Sequence, residues 1–210
     1  MTGLRCAELA DLRIRDIAGD HSTIHVPRGK TKNARRVVPL APLGRQVVAA
    51  RLASLPDTSS DAPLWPELPI LALTGSRGNK LSDRFRKARA HLLPGSEGVD
   101  MHSLRRAFAT HLEAAMNAGG RVNPTLVDSL MGHARGTLAL DRYSAGAALR
   151  PLTDAVEDME ERGLPEEVRQ ALAETMADRP PMTRFAPKLN PRSSPQADPG
   201  RRGTAARKAA

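Results

Sequence analysis

The chain has 210 residues, of which 40% are apolar and only 2% aromatic. This length suits one ordinary domain with an appendage, and the core must consist mainly of aliphatic side chains. The single cysteine, Cys6, excludes an intramolecular disulfide and a zinc site built from cysteine pairs, and it indicates a reducing, intracellular location. No apolar run approaches the ~20 residues of a membrane span, and the amino end lacks the apolar segment of a signal peptide. The sequence therefore predicts a soluble, cytoplasmic protein.

The net charge of +9 is unevenly distributed along the chain. Residues 1–150 carry 22 Lys and Arg against 13 Asp and Glu, whereas residues 151–178 carry two against nine. Residues 179–210 are basic again, with eight against one. A basic core indicates a polyanionic partner such as nucleic acid, although a well-solvated surface explains the charge equally well.

The first half of the chain shows helical spacing, then two β-branched runs. A helix is predicted from Cys6 to about Ile17, ended by Gly19. Residues 22–27 and 35–40 are predicted strands, and the polar linker between them contains Gly29 and Asn33, which indicates a hairpin.

The remaining elements of the predicted domain are mostly helical. The short apolar run Ile70–Leu73 is a possible third strand. Helices are predicted at about residues 42–55, 82–93, 102–117 and 123–131. The expected fold is α+β: a mostly helical domain with a small three-stranded antiparallel sheet.

The carboxyl-terminal third separates into two further parts by composition. Residues 151–178 form an acidic, amphipathic helical appendage, and its apolar stripe needs a surface on which to dock. Residues 179–210 are rich in Pro, Arg and Ala without an apolar period, so we expect them to be disordered. The predicted boundaries are therefore 1–150, 151–178 and 179–210.

The first motif that indicates chemistry lies at the amino end. Thr2-Gly-Leu-Arg5 leads directly into a predicted helix, so Arg5 stands beside a helix amino terminus, where an anion binds favourably. A capping or surface arginine is the alternative interpretation.

The second motif lies in the predicted helix that begins near residue 102. His102 and Arg105 are three residues apart, on one helix face, and together they can hold and protonate a phosphate. The opposing apolar stripe comprises Leu104, Phe108 and Leu112. A helix cap is the alternative role for His102, and a structural role is favoured for His111.

The third motif combines a helix end with the only tyrosine of the chain. Gly132 ends a predicted helix, His133 follows it, and Tyr143 comes ten residues later. A sole tyrosine is usually a core residue, but the neighbours of Tyr143 are Asp141, Arg142 and Ser144, which suit a core position poorly.

Taken in order, the segments TGLR, GKTKNARRVVPL, HSLRRAFATHL and LMGH followed by DRY resemble the catalytic domain of the tyrosine recombinase, or phage integrase, family. The resemblance extends from Thr2 to about Ala147. It implies the fold of that catalytic domain, no cofactor, double-stranded DNA as substrate, and a homotetramer assembled on DNA. It also implies that the segment after the tyrosine, here residues 151–178, docks into a neighbouring subunit, and folding back onto its own chain is the alternative.

The resemblance also implies a role for each matched residue. Arg5 and Arg105 would clamp the scissile phosphate, and Lys30 would protonate the leaving 5′-oxygen. His102 and His133 would position the phosphate and assist proton transfer, and Tyr143 would form a 3′-phosphotyrosine link. Further DNA contacts are expected from Arg28, Lys32, Arg106 and Arg142.

Elementary chemistry agrees with these roles. A phenol has a pKa near 10, so a tyrosine needs cations on the phosphate and a proton donor for the leaving oxygen before it attacks at neutral pH. The covalent link conserves the energy of the phosphodiester bond, so neither ATP nor a metal is required for religation.

Two departures from the family pattern define the alternatives. Arg106 stands where a histidine is common, a change that does not imply loss of activity. Family members usually have an amino-terminal DNA-binding domain and a further helix before the first motif, so we expect an amino-terminally truncated chain that binds DNA weakly. The alternatives are a catalytically silent DNA-binding remnant and, less favoured by the motif spacing, a type IB topoisomerase.

Overall fold

The computed structural model describes residues 2–27, 35–133 and 148–177. Within these ranges the chain is mostly helical, with one two-stranded antiparallel sheet. The elements are α1 (Cys6–Ala10), a 3-10 turn (Ile14–Asp16), β1 (Thr23–Val26), β2 (Arg36–Pro39), α2 (Pro42–Ala53), α3 (Gly78–Leu92), α4 (Met101–Asn117), α5 (Pro124–Met131), α6 (Leu149–Asp158), a π-helical turn (Met159–Gly163) and α7 (Glu166–Ala177).

The predicted first helix is shorter than expected. It ends at Ala10 because the following residues pair with a distant segment: the amide of Ile14 donates to the carbonyl of Ala62 at 3.0 Å, and Leu64 donates to Leu12 at 2.8 Å. Asp16 then caps a separate 3-10 turn by accepting from the amide of Arg13 at 2.8 Å. Long-range backbone pairing therefore overrides the local helical spacing.

The predicted hairpin is confirmed. β1 pairs antiparallel with β2, with Thr23 opposite Pro39 and Val26 opposite Arg36. The inward side chains Ile24 and Val38 are almost fully buried.

The predicted third strand at Ile70–Leu73 is wrong, and the sheet in the described residues has two strands. The amide of Leu71 bonds to the carbonyl of Ser76, and the amide of Gly75 bonds back to Leu71 at 2.8 Å, so this segment closes a turn. Leu73 is 92% exposed. A short apolar run does not form a strand when its own turn satisfies the backbone.

The later helices confirm the sequence prediction with shifted ends. α3 begins at Gly78, four residues early, where the missing side chain permits close packing: a Cβ there would lie 3.0 Å from the Cα of Ala7. In α4, Phe108 and Leu112 are buried as expected. Leu104 is 49% exposed, so the apolar stripe is one turn shorter than predicted.

Two apolar clusters form the core. One combines the sheet with α1 and α2, and the other combines α4 and α5 with α6 and the π-helical turn. Their members include Leu12, Ile24, Val38 and Leu40 in the first cluster, and Phe108, Leu112, Leu130, Val156 and Met159 in the second.

The first part of the acidic segment packs against its own chain. Leu152 and Val156 of α6 are buried in the second cluster, and Asp158 receives two bonds from the Arg121 guanidinium, at 2.8 and 3.1 Å. Hydrogen bonding to Arg121 is the main reason that the pKa of Asp158 falls to about 2. Of the two docking modes that the sequence left open, residues 149–163 adopt folding back in cis, whereas Val168 and Leu172 of α7 remain more than one third exposed.

Candidate active site at the end of α5

Three arginines from separate parts of the chain donate to three consecutive backbone carbonyls at the end of α5. The bonds join Arg36 Nε to Leu130 O at 2.8 Å, Arg105 Nη2 to Met131 O, and Arg5 Nη2 to Gly132 O at 3.3 Å. These contacts connect segments that lie 94, 26 and 127 residues apart in the sequence.

The end of α5 attracts these cations because its last carbonyls lack helical partners. Gly132 adopts the left-handed conformation, with φ 65°, and the amide of His133 donates back to Asp128 O at 2.9 Å. This helix-terminating motif satisfies earlier carbonyls and leaves the next ones available at the negative end of the helix dipole. Guanidinium groups supply the missing donors.

Arg105 is the most buried member of the cluster, with 4% of the residue exposed. Its guanidinium also donates to the carbonyl of Gly3, which ties the amino-terminal motif to α4. Burial, followed by the nearby charges of Arg5 and Arg36, lowers the pKa of Arg105 to about 10. The residue therefore stays cationic at neutral pH.

One carboxylate, that of Glu8, lies between Arg5 and Arg36. It accepts from the Arg5 guanidinium at 2.7 Å and from Arg36 Nη2 at 3.0 Å. Burial raises the pKa of Glu8, but the bonds from Arg36 and from the backbone of Arg5 outweigh it, so the net shift is downward. Three guanidinium groups and one carboxylate leave an excess of positive charge, and the side chain of Arg5 is 42% exposed.

His133 contacts Arg105 directly, with 3.1 Å between Nη2 and Nε2. Because a guanidinium only donates, Nε2 must accept, and the ring proton is on Nδ1, which lies 3.7 Å from the Asp128 carboxylate. Burial and the charge of Arg105 lower the pKa of His133 despite the opposing effect of Asp128. A half-exposed, neutral imidazole therefore stands beside the cationic cluster.

His102 lies in the first turn of α4, one helical turn before Arg105, and its side chain is exposed. The helix begins there because Asp100 accepts from the amide of Ser103 at 2.7 Å. His102 lines a cavity together with Cys6 and Ser82. Arg106 is also exposed and donates to the Ser103 hydroxyl at 2.8 Å.

The structure thus brings Arg5, Arg105 and His133 together and places His102 nearby. The other predicted site residues lie outside the described residues: Arg28, Lys30 and Lys32 in 28–34, and Arg142 and Tyr143 in 134–147. Their assigned roles stay predictions.

Sequence reasoning missed Glu8 and Arg36. Glu8 has a local signal, since it follows Arg5 by three residues and its carboxylate accepts from the backbone amide of Arg5 at 2.8 Å. The contacts of Arg36 with Glu8 and Leu130 are not visible as local spacing, because these residues are 28 and 94 positions away.

The described ranges contain neither a cluster of metal ligands nor a membrane-spanning helix. No group of three or more His, Cys, Asp or Glu side chains there is arranged to hold a metal ion. None of the helices described has the length and apolar character needed to cross a membrane.

The excess of positive charge, with the Arg5 side chain partly exposed to solvent, is of the kind that can attract an anion. The model of the phage integrase family matches residues 1–149, and the chain belongs to that family.

Its relatives include two enzymes named tyrosine recombinase XerC and one named XerD. The XerD of Chlamydia trachomatis is 29% identical over 64% of this chain and 42% of its own length. The XerC of Rhodospirillum centenum is 34% identical over 63% of this chain and 36% of its own length. The XerC of Mycobacterium bovis is 31% identical over 71% of this chain and 48% of its own length. The chain therefore spans less than half the length of these relatives. No solved structure matches significantly.

Proposed function

We propose that this chain is the catalytic part of a site-specific DNA recombinase that cleaves and rejoins duplex DNA through a 3′-phosphotyrosine intermediate. The observation that carries the proposal is the cluster of Arg5, Arg36 and Arg105 on the carbonyls that end α5. Membership of the phage integrase family and similarity to the tyrosine recombinases XerC and XerD support the same reaction.

The cluster suits a phosphodiester for an electrostatic reason. Its guanidinium groups are held by backbone carbonyls and one carboxylate, so they are oriented before an anion arrives. Arg5 is the most accessible of the three, at 42% exposure of its side chain, and presents its charge to solvent. Planar guanidinium groups match the oxygens of a phosphate and stabilise the extra charge of a pentacoordinate transition state.

In the proposed cleavage step, the phenol oxygen of Tyr143 attacks the phosphorus, and a new O–P bond forms as the bond from phosphorus to the 5′-oxygen breaks. The phenol proton leaves to a neutral histidine, for which His133 has a suitable protonation state. Lys30 gives a proton to the departing 5′-oxygen. Religation is the reverse, with a 5′-hydroxyl of another strand as the nucleophile, so no ATP or metal takes part.

The charge distribution supports the choice of a nucleic acid as substrate. α3 carries five Lys and Arg against one Asp, and three of them, Arg84, Arg86 and Lys87, are exposed. The 149–177 segment carries three Lys and Arg against eight Asp and Glu. A molecule with its charge distributed in this way would turn its basic surface to DNA. Four copies would then assemble on two paired sites.

The test is covalent capture of DNA by the full chain. The protein is mixed with supercoiled plasmid and with a library of nicked duplexes of randomised sequence, then denatured in detergent, and the DNA attached to protein is recovered and sequenced. We expect covalent complexes with the wild-type chain and none with Tyr143→Phe, which removes a single hydroxyl.

The same experiment separates the alternatives. Covalent complexes that cluster on one sequence indicate a site-specific recombinase, whereas relaxation of the plasmid without sequence preference indicates a topoisomerase. Retention of the duplex in a gel without any covalent product would contradict the proposal and indicate a silent DNA-binding protein. Undiminished capture by Tyr143→Phe would refute the nucleophile.

A further inference from the structure

Arg36 connects three elements of the site although it has no predicted catalytic role. From β2, its buried side chain donates Nε to the carbonyl of Leu130 at 2.8 Å. Its Nη2 and Nη1 lie 3.0 and 3.3 Å from the two carboxylate oxygens of Glu8. The side chains of both Arg36 and Glu8 are 6% exposed, so these bonds form in a largely water-free environment.

Glu8 and Leu130, which Arg36 contacts within the described residues, also hold residues of the proposed reaction. The carboxylate of Glu8 accepts from the Arg5 guanidinium at 2.7 Å. The carbonyl of Leu130 belongs to the last turn of α5, which is followed at once by Gly132, the acceptor of Arg5, and by His133. A displacement at Arg36 would therefore reach Arg5 by one route and His133 by the other.

We infer that Arg36 is a positioning residue, whose planar fork fixes Glu8 and the end of α5 so that Arg5 and His133 meet the same phosphate. The inference rests on the proposed function, because it assigns Arg36 a part in that reaction. Arg36 itself need not touch the DNA.

The geometry of the Arg36 guanidinium accounts for this role more than its charge does. A guanidinium supplies donors in two fixed directions, here toward a carbonyl and a carboxylate on different elements. A lysine keeps the positive charge but offers a single ammonium on a flexible stem, which cannot reproduce both contacts. Arg36→Lys therefore removes the two-sided contact while it keeps the positive charge.

The chain provides a matched control in Arg51. It too is buried, with Nε donating to the carbonyl of Leu64 at 2.9 Å and Nη2 paired with Glu67 at 2.6 Å. The exposures of the pair, 7% and 11%, resemble those of Arg36 and Glu8. Arg51 also stacks over Trp65, in the first core cluster, and its partners include no residue of the proposed site. Arg51→Lys thus measures the generic cost of the same substitution.

The first readout is the pKa of His133, followed by NMR of its ring in the full chain. The charged groups that act on this ring are Arg105, Asp128, Arg5 and Arg36. We expect Arg36→Lys, which retains the charge, to raise the pKa of His133 toward its ordinary value, because the ring separates from Arg105. Arg51→Lys should leave it unchanged, and an unchanged value in Arg36→Lys would overturn the inference.

The second readout is the rate constant of covalent complex formation at saturating DNA, measured together with the dissociation constant. Misplacement of catalytic groups by about 1 Å can slow a reaction up to about 100-fold. We expect Arg36→Lys to lower the rate at least about tenfold with little change in affinity, and Arg51→Lys to match wild type. Equal rates in the two variants at comparable thermal stability would refute the role.

The two proposals can fail separately. If the wild-type chain forms no covalent complex, the proposed function fails, while the His133 titration still decides whether Arg36 positions that residue. If Arg36→Lys does not fold, Arg36→Gln and Arg51→Gln take its place in the rate measurement, since glutamine retains an amide donor for Glu8 or Leu130. The His133 titration is not compared for this pair, because loss of the Arg36 charge by itself raises the pKa of His133.

Discussion

Gly3 and Phe108 lie in direct contact, and the absence of a side chain at position 3 makes this contact possible. A Cβ on Gly3 would lie 2.7 Å from Cε1 of Phe108 and 3.2 Å from the sulfur of Met131. Gly3 also has φ 60°, in the left-handed region that side chains rarely adopt. This close approach brings the carbonyl of Gly3 to the guanidinium of Arg105 and places Arg5 in the site.

Gly3→Ala should therefore destabilise the chain more than an ordinary surface change. The left-handed backbone and the overlap with Phe108 together are expected to cost at least about 2 kcal/mol in the free energy of unfolding. Urea denaturation measures the difference. Gly19→Ala is the control, because a Cβ on Gly19 would have no atom within 4 Å and the φ of Gly19 is not positive. Equal stabilities of the two variants would show that Gly3 is not confined.

The arginine cluster should bind inorganic phosphate. An anion near Arg5 and Arg105 offsets the charge that lowers the pKa of His133, so added phosphate is expected to raise that pKa. NMR titration of the His133 ring at several phosphate concentrations measures the shift. Arg105→Gln should abolish the response, whereas Arg15→Gln, an exposed arginine paired with Asp61, should retain it. A response that survives Arg105→Gln would place the anion elsewhere.

The lowered pKa of His133 predicts a loss of stability in mild acid. The unfolded chain binds the proton near the ordinary value of 6.5, before the folded chain does. The stability that the neutral His133 ring contributes is fully present above pH 6.5. It is lost as the pH falls from 6.5 toward the lowered pKa of the folded chain. Between about pH 7.5 and 5.5, the unfolding free energy of wild type should therefore decline more steeply than that of His133→Asn. Parallel pH profiles would mean that His133 titrates normally.

The π-helical turn after α6 should contribute strongly to stability. Met159 is 1% exposed and packs in the cluster with Phe108 and Leu112, so Met159→Ala is expected to cost about 2–5 kcal/mol. Leu172→Ala, in α7, removes a side chain that is 38% exposed and should cost less than about 1 kcal/mol. Chemical denaturation of both variants gives the comparison. Similar losses would indicate that residues 149–163 do not pack as described.

Local patterns in the sequence predicted most of the helices and the hairpin. Helical spacing predicted α4 and α5, and in the structure Asp100 and Asn123 cap their first turns. These elements follow from contacts within a few residues, which a sequence displays directly. The third strand was wrong because a strand needs a neighbour, and the neighbours of Ile70 depend on the path of the whole chain.

The candidate site also divides into residues that the sequence identified and contacts that only the folded chain reveals. The sequence by itself identified the four motifs, the family, and Arg5, His102, Arg105 and His133 as candidates, because residue types at fixed spacing are visible without a structure. Lys30 and Tyr143 come from the sequence alone, since they lie outside the described residues. The folded chain decided how three arginines share the end of α5. It also revealed Arg36, whose partners meet it only through long-range packing, and burial together with neighbouring charge decided that His133 is neutral beside them.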